Sequence, residues 1–165
     1  MVRRTVLVFV VAVSMATIAN SAMASASAKK HGAHVTTTKL TATQFGKDDA
    51  PFARARAAYA TAFAQWYASK APTSETTSFV DPFVAAGQTF EHKLDSQQWP
   101  PTDRSRVRTF AASIAVVAND VARLPSITTV ASGLALATLF ARDSATSEAD
   151  SNRLRKALGL RALTT

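Results

Sequence analysis

The sequence predicts an all-α fold, an up-and-down four-helix bundle with a short extra N-terminal helical segment. Three observations carry that expectation. Between Val107 and Leu124 the large apolar residues Val107, Phe110, Ile114, Val117, Val121 and Leu124 follow one another at alternating spacings of three and four. That spacing lines them up on one side of an α-helix, whereas a strand would scatter them over both faces. Ser105, Arg108, Asn119 and Arg123 fall on the opposite side, as a solvated face should. Second, an alanine-rich stretch from Pro51 to Ser69 aligns Phe52, Tyr59, Phe63 and Trp66, with Ala55 and Ala62, on one face. Third, the breaks at Pro72, Trp99-Pro100-Pro101 and Pro125 leave connections short enough for antiparallel neighbours. One striped helix cannot bury its own apolar face, so these stretches must cover one another.

Taken in order, residues 1–28 read as a secretory signal peptide. Arg3 and Arg4 form its basic start, and Val6 to Ala19 is an apolar run interrupted only by Ser14 and Thr17. Small residues follow and offer A-x-A cleavage sites after Ala24, Ala26 or Ala28. The run is shorter than the roughly 20 apolar residues that span a bilayer, so cleavage is favoured over a retained anchor. The paired arginines also resemble a twin-arginine export signal, a weaker reading. Cleavage removes Arg3 and Arg4 from the 19 basic residues and none of the 11 acidic ones, so the formal charge falls from +8 to +6. It also removes Met1, Met15 and Met23, the three methionines, and the chain has no cysteine. The mature protein then carries no sulfur. Disulfides, zinc–thiolate sites, iron–sulfur clusters and thioether haem ligation are excluded, and stability must come from packing.

Residues 29–43 are polar, rich in Thr, Lys and His, and read as a flexible tether before a helical domain over 44–160 and a short tail at 161–165. Thr41-x-x-Gln44 matches a capping box, with Leu40 and Phe45 as a hydrophobic staple. The helix begun there meets Gly46 and Pro51, where it either kinks or stops and restarts, with Asp48 and Asp49 favouring a new N-terminus. After the aromatic helix, Thr73 to Ser78 is a polar loop. A second helix is expected from Pro82, capped by Asp81, to Gln98, with Phe83, Val84, Gly87, Phe90 and Leu94 inward. Thr102 or Asp103 caps the striped helix, which Pro125 ends. A fourth helix is expected from about Ser126 to Arg142, with Ile127, Val130, Leu134, Ala137 and Phe140 or Ala141 inward. A last element, from about Ser144 to Leu158, carries Leu154 and Leu158 and closes on Gly159 as a left-handed cap.

Chemical motifs are scarce. If cleavage follows Ala28, the mature chain begins Lys29-Lys30-His31. Its amine, backbone amides and third-position imidazole could then wrap Cu(II) or Ni(II) in a square-planar site. The plainer reading is a soluble basic tail. Glu91, His92 and Asp95 could form a carboxylate–imidazole cluster, but Lys93 lies among them and a solvated helix face explains them better. Trp66-Tyr67 and Trp99 could stack on a ligand, though at helical spacing and before two prolines they read as core and loop plugs. Arg104, Arg106 and Arg108, and Arg153, Arg155, Lys156 and Arg161, form two basic groups without a clear stripe. Anionic envelope polymers or lipid headgroups would be their targets, against plain solubility. There is no G-x-S-x-G, phosphate loop, H-E-x-x-H or EF-hand loop.

The C-terminal run Asn152-Arg153-Leu154-Arg155-Lys156-Ala157-Leu158-Gly159-Leu160 joins Leu40-Thr41-x-x-Gln44-Phe45, the alanine-rich helix and the Trp99-Pro100 break in a further pattern. Together they resemble small secreted proteins and lipoproteins of actinobacteria, all-helical and functionally uncharacterised. The likeness covers about residues 40 to 160 and implies export and the helical fold, but no site residues. Many such proteins carry a lipidated cysteine; this chain has none, so the resemblance implies release rather than anchoring. The expected function is therefore a secreted, non-enzymatic helical-bundle protein that binds something at the cell envelope or outside the cell. A small-ligand or metal (Cu or Ni) carrier, using the bundle interior or the terminus at Lys29, Lys30 and His31, is the alternative, and an enzyme comes third. No cofactor is expected. The partner would be an anionic envelope component or another protein, not nucleic acid, with no membrane span after cleavage.

Overall fold

In a computed structural model, the described residues are 32–163, with side chains from residue 41 onward. They form four α-helices and no strand: α1, Gly32–Ser69; α2, Thr77–Ser96; α3, Pro101–Ala122; and α4, Val130–Ala157. Short 3-10 turns at Thr73–Thr76 and Leu124–Ser126 sit in the first and third connections. The expected all-α four-helix bundle is present. Among the described residues no helix is long and apolar enough to cross a membrane.

The organising stripe behaves as its spacing requires. Val107, Phe110, Ile114, Val117, Val121 and Leu124 are all buried, and α3 packs along α2 on one side and α4 on the other. α1 lies along α2. Its rings at Phe45, Phe52, Tyr59 and Trp66 recur every seven residues and so share a face. They form a chain of contacts with α2 and α3: Phe45 to Phe90 at 6.0 Å and to Phe110 at 6.3 Å, Phe52 to Phe83 at 5.7 Å, and Tyr59 to Phe83 at 4.9 Å. Gly87 sits where these helices meet, with room for a methyl but little more. A Cβ there would lie 3.4 Å from the Phe52 ring and 3.5 Å from the Ala118 methyl.

The helix boundaries correct several expectations. α1 starts at Gly32, so the part of the expected tether from residue 32 to 43 is helical and Thr41 lies inside a helix. Gln44 does not close a capping box there; its amide donates to Asp48 at 3.0 Å. Neither Gly46 nor Pro51 interrupts α1. Pro51 is exposed, so the Lys47 carbonyl that its missing N–H leaves unbonded can take water. The extra N-terminal segment is thus the first part of α1. α2 begins at Thr77, with exposed Pro82 inside it rather than at its first position. α3 starts after Pro100 with Pro101 in its first turn, and Asp103 is buried instead of capping.

The two expected C-terminal elements are one helix. Thr129 caps it in place of Ser126: its hydroxyl accepts from the Ser132 amide at 3.1 Å, while the Ser132 hydroxyl accepts from the Thr129 amide at 3.3 Å. That start turns Val130 outward, 37% exposed, and brings Gly133, Leu136 and Ala137 inside. At the far end Gly159 has φ +71°. Leu160 N–H bonds the Arg155 carbonyl at 2.8 Å and Gly159 N–H the Lys156 carbonyl at 3.1 Å, completing the expected left-handed cap as a Schellman motif.

Helices α1 and α4 make the open side of the bundle. Their backbones stand apart along nearly the whole described length. At one end, side chains bridge them: Asp49 on α1 faces Arg155 on α4 at 3.4 Å and Arg56 at 3.7 Å. At the other end the gap is a cavity.

Candidate functional site

The cavity has a volume of about 50 Å3 and is partly open to solvent. α1 supplies Tyr59, Phe63 and Trp66, α3 supplies Asp120 and Val121, and α4 supplies Gly133, Leu136, Ala137 and Phe140. Thr73, Leu124 and Ile127 close it from the two connections. The cavity follows from local sequence. Large aromatic residues on α1 hold the helices apart, while Gly133 and Ala137 on the facing side of α4 are too small to fill the space.

Its walls are held in place by polar contacts to backbone. The Trp66 indole N–H donates to the Pro72 carbonyl at 3.1 Å, and the Thr73 hydroxyl donates to the Ile127 carbonyl at 2.7 Å. The second bond joins the α1–α2 connection to the α3–α4 connection. Rings continue the wall, with Tyr59 and Phe63 centroids 6.0 Å apart and Phe63 and Trp66 5.4 Å apart.

One acid stands in this apolar lining. Asp120 is only 6% exposed, and its Oδ2 has no hydrogen-bond donor from the protein. Its Oδ1 lies 3.9 Å from the Arg123 guanidinium, a loose contact. Asp143 on α4 comes within hydrogen-bond reach, and is itself clasped by Arg142 through Nε at 2.6 Å and Nη2 at 3.0 Å. Burial raises the Asp120 pKa, and the neighbouring Asp143 charge raises it further, against Arg123 and Arg142. Asp143 is pushed below the ordinary range, chiefly by the Arg142 hydrogen bonds. Burial and the Asp143 charge thus both favour the protonated form of Asp120, while the Arg142 bonds favour the ionised form of Asp143.

Two other polar clusters serve the fold. Asp48 accepts from Gln44 at 3.0 Å and Gln97 at 2.5 Å, with Lys93 at 3.5 Å. Burial opposes its ionisation, but these partners outweigh burial and lower its pKa. Asp49 is the reverse: burial raises its pKa despite Arg56 and Arg155.

The expected site residues are dispersed. Lys29, Lys30 and His31 lie outside the described residues, as does the signal segment. His92 and Asp95 are exposed and Glu91 is half-buried. No group of three potential metal-ligating side chains occurs among the described residues. Trp99 is a buried plug whose indole donates to the Leu94 carbonyl at 2.7 Å, whereas Trp66 lines the cavity. Asp120 had a legible signal. It falls three residues after Val117 and four before Leu124, on the edge of the inward stripe, where a carboxylate has no business unless partnered. Set against protein-family models, curated proteins and solved structures, the chain matches none of them.

Proposed function

We propose that this chain is an exported, non-enzymatic binding protein that holds a small, mainly apolar ligand in the cavity between α1, α3 and α4. The observation that carries this reading is the cavity itself: a walled apolar space with a single buried carboxyl in its lining. It moves the carrier reading ahead of the envelope-interaction reading, since a tightly filled bundle would have offered no interior site. Export rests on the N-terminal sequence pattern and on the resemblance to small secreted actinobacterial proteins.

The test is a titration with a compact neutral probe, dimethylbutanol, following the Trp66 indole resonance by NMR, with Trp66→Phe used to assign it. Saturable movement of that resonance supports the reading, and Ala137→Phe, which fills the cavity, should abolish it. No movement of Trp66, or equal movement in Ala137→Phe, would count against it.

A second reading has its own observation. Because α3 and α4 run antiparallel, Arg104, Arg106 and Arg108 at the start of α3 and Arg153 and Lys156 at the end of α4 share one end of the bundle. All five are exposed. Such an end suits an anionic envelope polymer. Association with anionic polymer that is unaffected by added salt would sink this reading, since screening must weaken it.

A further inference from the structure

We infer that the Tyr59 hydroxyl is the hydrogen-bonding contact of the cavity, and that the ligand is compact and uncharged, with one acceptor oxygen on an apolar body. Ketones and alcohols of small size are of this class. The inference rests on the ligand-site reading above and names the chemical class that the site selects.

The polar groups of the lining come first. The Trp66 and Thr73 donors are already taken up by the carbonyls of Pro72 and Ile127. The unpaired Asp120 Oδ2 is sealed off and presents nothing to the cavity. Tyr59 differs from all three. It is only 4% exposed, yet among the described residues no group bonds its hydroxyl, and burial alone raises its pKa. The hydroxyl oxygen is not among the sealed, unpaired atoms. Phe79 and Phe83 of α2, which stand outside the lining, cover the ring at 5.5 and 4.9 Å between centroids. The space left to the hydroxyl is therefore the cavity.

A buried hydroxyl without a partner is costly, and an oxygen brought by a ligand offsets that cost. Because burial holds the phenol in its protonated form, it meets that oxygen as a donor. Water is a poor substitute. A buried water settles where two to four polar groups converge, whereas here one free hydroxyl stands among Phe63, Trp66, Leu136 and Phe140.

The same lining decides against charge. Arg123 and Arg142 are more than half exposed and lie against Asp120 and Asp143, so neither is free to neutralise a guest. An ion entering this space would shed its water and gain no counter-charge. Size sets the last limit. A cavity of about 50 Å3, partly open, takes a compact group and not a long chain buried whole.

The experiment titrates three probes of one shape into the full mature chain and into Tyr59→Phe, following the Trp66 resonance. They are pinacolone, its alkene isostere with a methylene in place of the carbonyl oxygen, and pivalate, with an ionised carboxylate. Pinacolone affinity should fall about three- to tenfold in Tyr59→Phe, while alkene affinity should not fall. The carbonyl stretch of bound pinacolone should lie at lower frequency in the unsubstituted chain than in Tyr59→Phe. Pivalate should not bind. Tyr59→Phe should also keep the full thermal stability of the empty chain, because the hydroxyl has no protein partner to lose. Undiminished pinacolone binding in Tyr59→Phe, or an equal fall for the alkene, overturns the hydroxyl contact and leaves the apolar site standing. A lower melting temperature for Tyr59→Phe likewise overturns the contact, and pivalate bound as tightly as pinacolone overturns the uncharged class. Failure of both pinacolone and the alkene on the unsubstituted chain overturns the ligand site as well.

Discussion

Thr73 and Ile127 lie 54 residues apart, yet the Thr73 hydroxyl donates to the Ile127 carbonyl at 2.7 Å and fastens the two connections at one end of the bundle to each other. The carbonyl is partly shielded from water, and the same two residues form the floor of the cavity. Thr73→Val keeps the side-chain shape but removes the donor. It should cost about 1–2 kcal/mol in urea unfolding and broaden the Trp66 resonance, because the floor beneath that ring loses its tie. A stability change without any effect at Trp66 would show that the bond supports the fold but not the site.

Gly87 gives a paired prediction. Gly87→Ala places a methyl at ordinary contact with Phe52 and Ala118, so its gain in helix propensity should show as a stabilisation of up to about 1 kcal/mol. Gly87→Leu has no such room and should destabilise by about 1–3 kcal/mol through overpacking. Chemical denaturation of the two variants distinguishes this from a position indifferent to size, at which both would be stable.

Arg155 joins α4 to α1 through Asp49 at 3.4 Å and also holds the Arg161 carbonyl at 2.7 Å. Arg155→Met preserves the stem and deletes both contacts, leaving Asp49 to Arg56 alone. The expected loss is about 2–3 kcal/mol, more than an exposed pair would give, because the ions are largely shielded. Thermal unfolding in low and high salt checks the point: the deficit should persist in high salt.

The Asp120 carboxyl predicts a pH dependence of defined sign. Its pKa in the folded chain lies above its ordinary 3.8, so the folded state holds a proton that the unfolded chain has released. Stability attributable to this group is complete below 3.8 and falls as pH rises through the raised value. Asp120→Asn, which keeps a donor toward Asp143, should remove that decline. The measurement is the difference between the two unfolding curves across pH, which cancels the opposite trend from the distant Asp48. A difference that grows as pH falls would contradict the assignment.

How far the sequence could be read depended on whether a feature was local. The α3 stripe was legible because one helix's periodicity dictates one helix's buried face. Gly159 was legible because a left-handed residue after a helix leaves little choice. The single α4 was not, because Asp143, Ser144 and Thr146 look like a break. In the structure Thr146 bonds back to the Arg142 carbonyl at 3.1 Å and Asp143 finds its partner in Arg142, so the polar run stays helical. Pro51 and Pro82 misled for a similar reason, since exposed carbonyls can do without their intrahelical donors. The cavity was illegible in principle: it comes from the distance between α1 and α4, which no single segment encodes. Asp120 and Asp143 are 23 positions apart in sequence and acquire a joint chemistry only across α3 and α4.

The separation of α1 from α4 also sets how the molecule breathes. α2, α3 and α4 pack in succession along their lengths, while α1 is zipped to α2 by its rings and tied to α4 by a few side chains. The central three helices should open only in global unfolding, whereas α1 can swing on its α2 contacts without breaking the α3 seams. Amide hydrogen exchange should therefore be slowest in α3 and fastest along α1. Such hinging would widen the cavity between α1, α3 and α4.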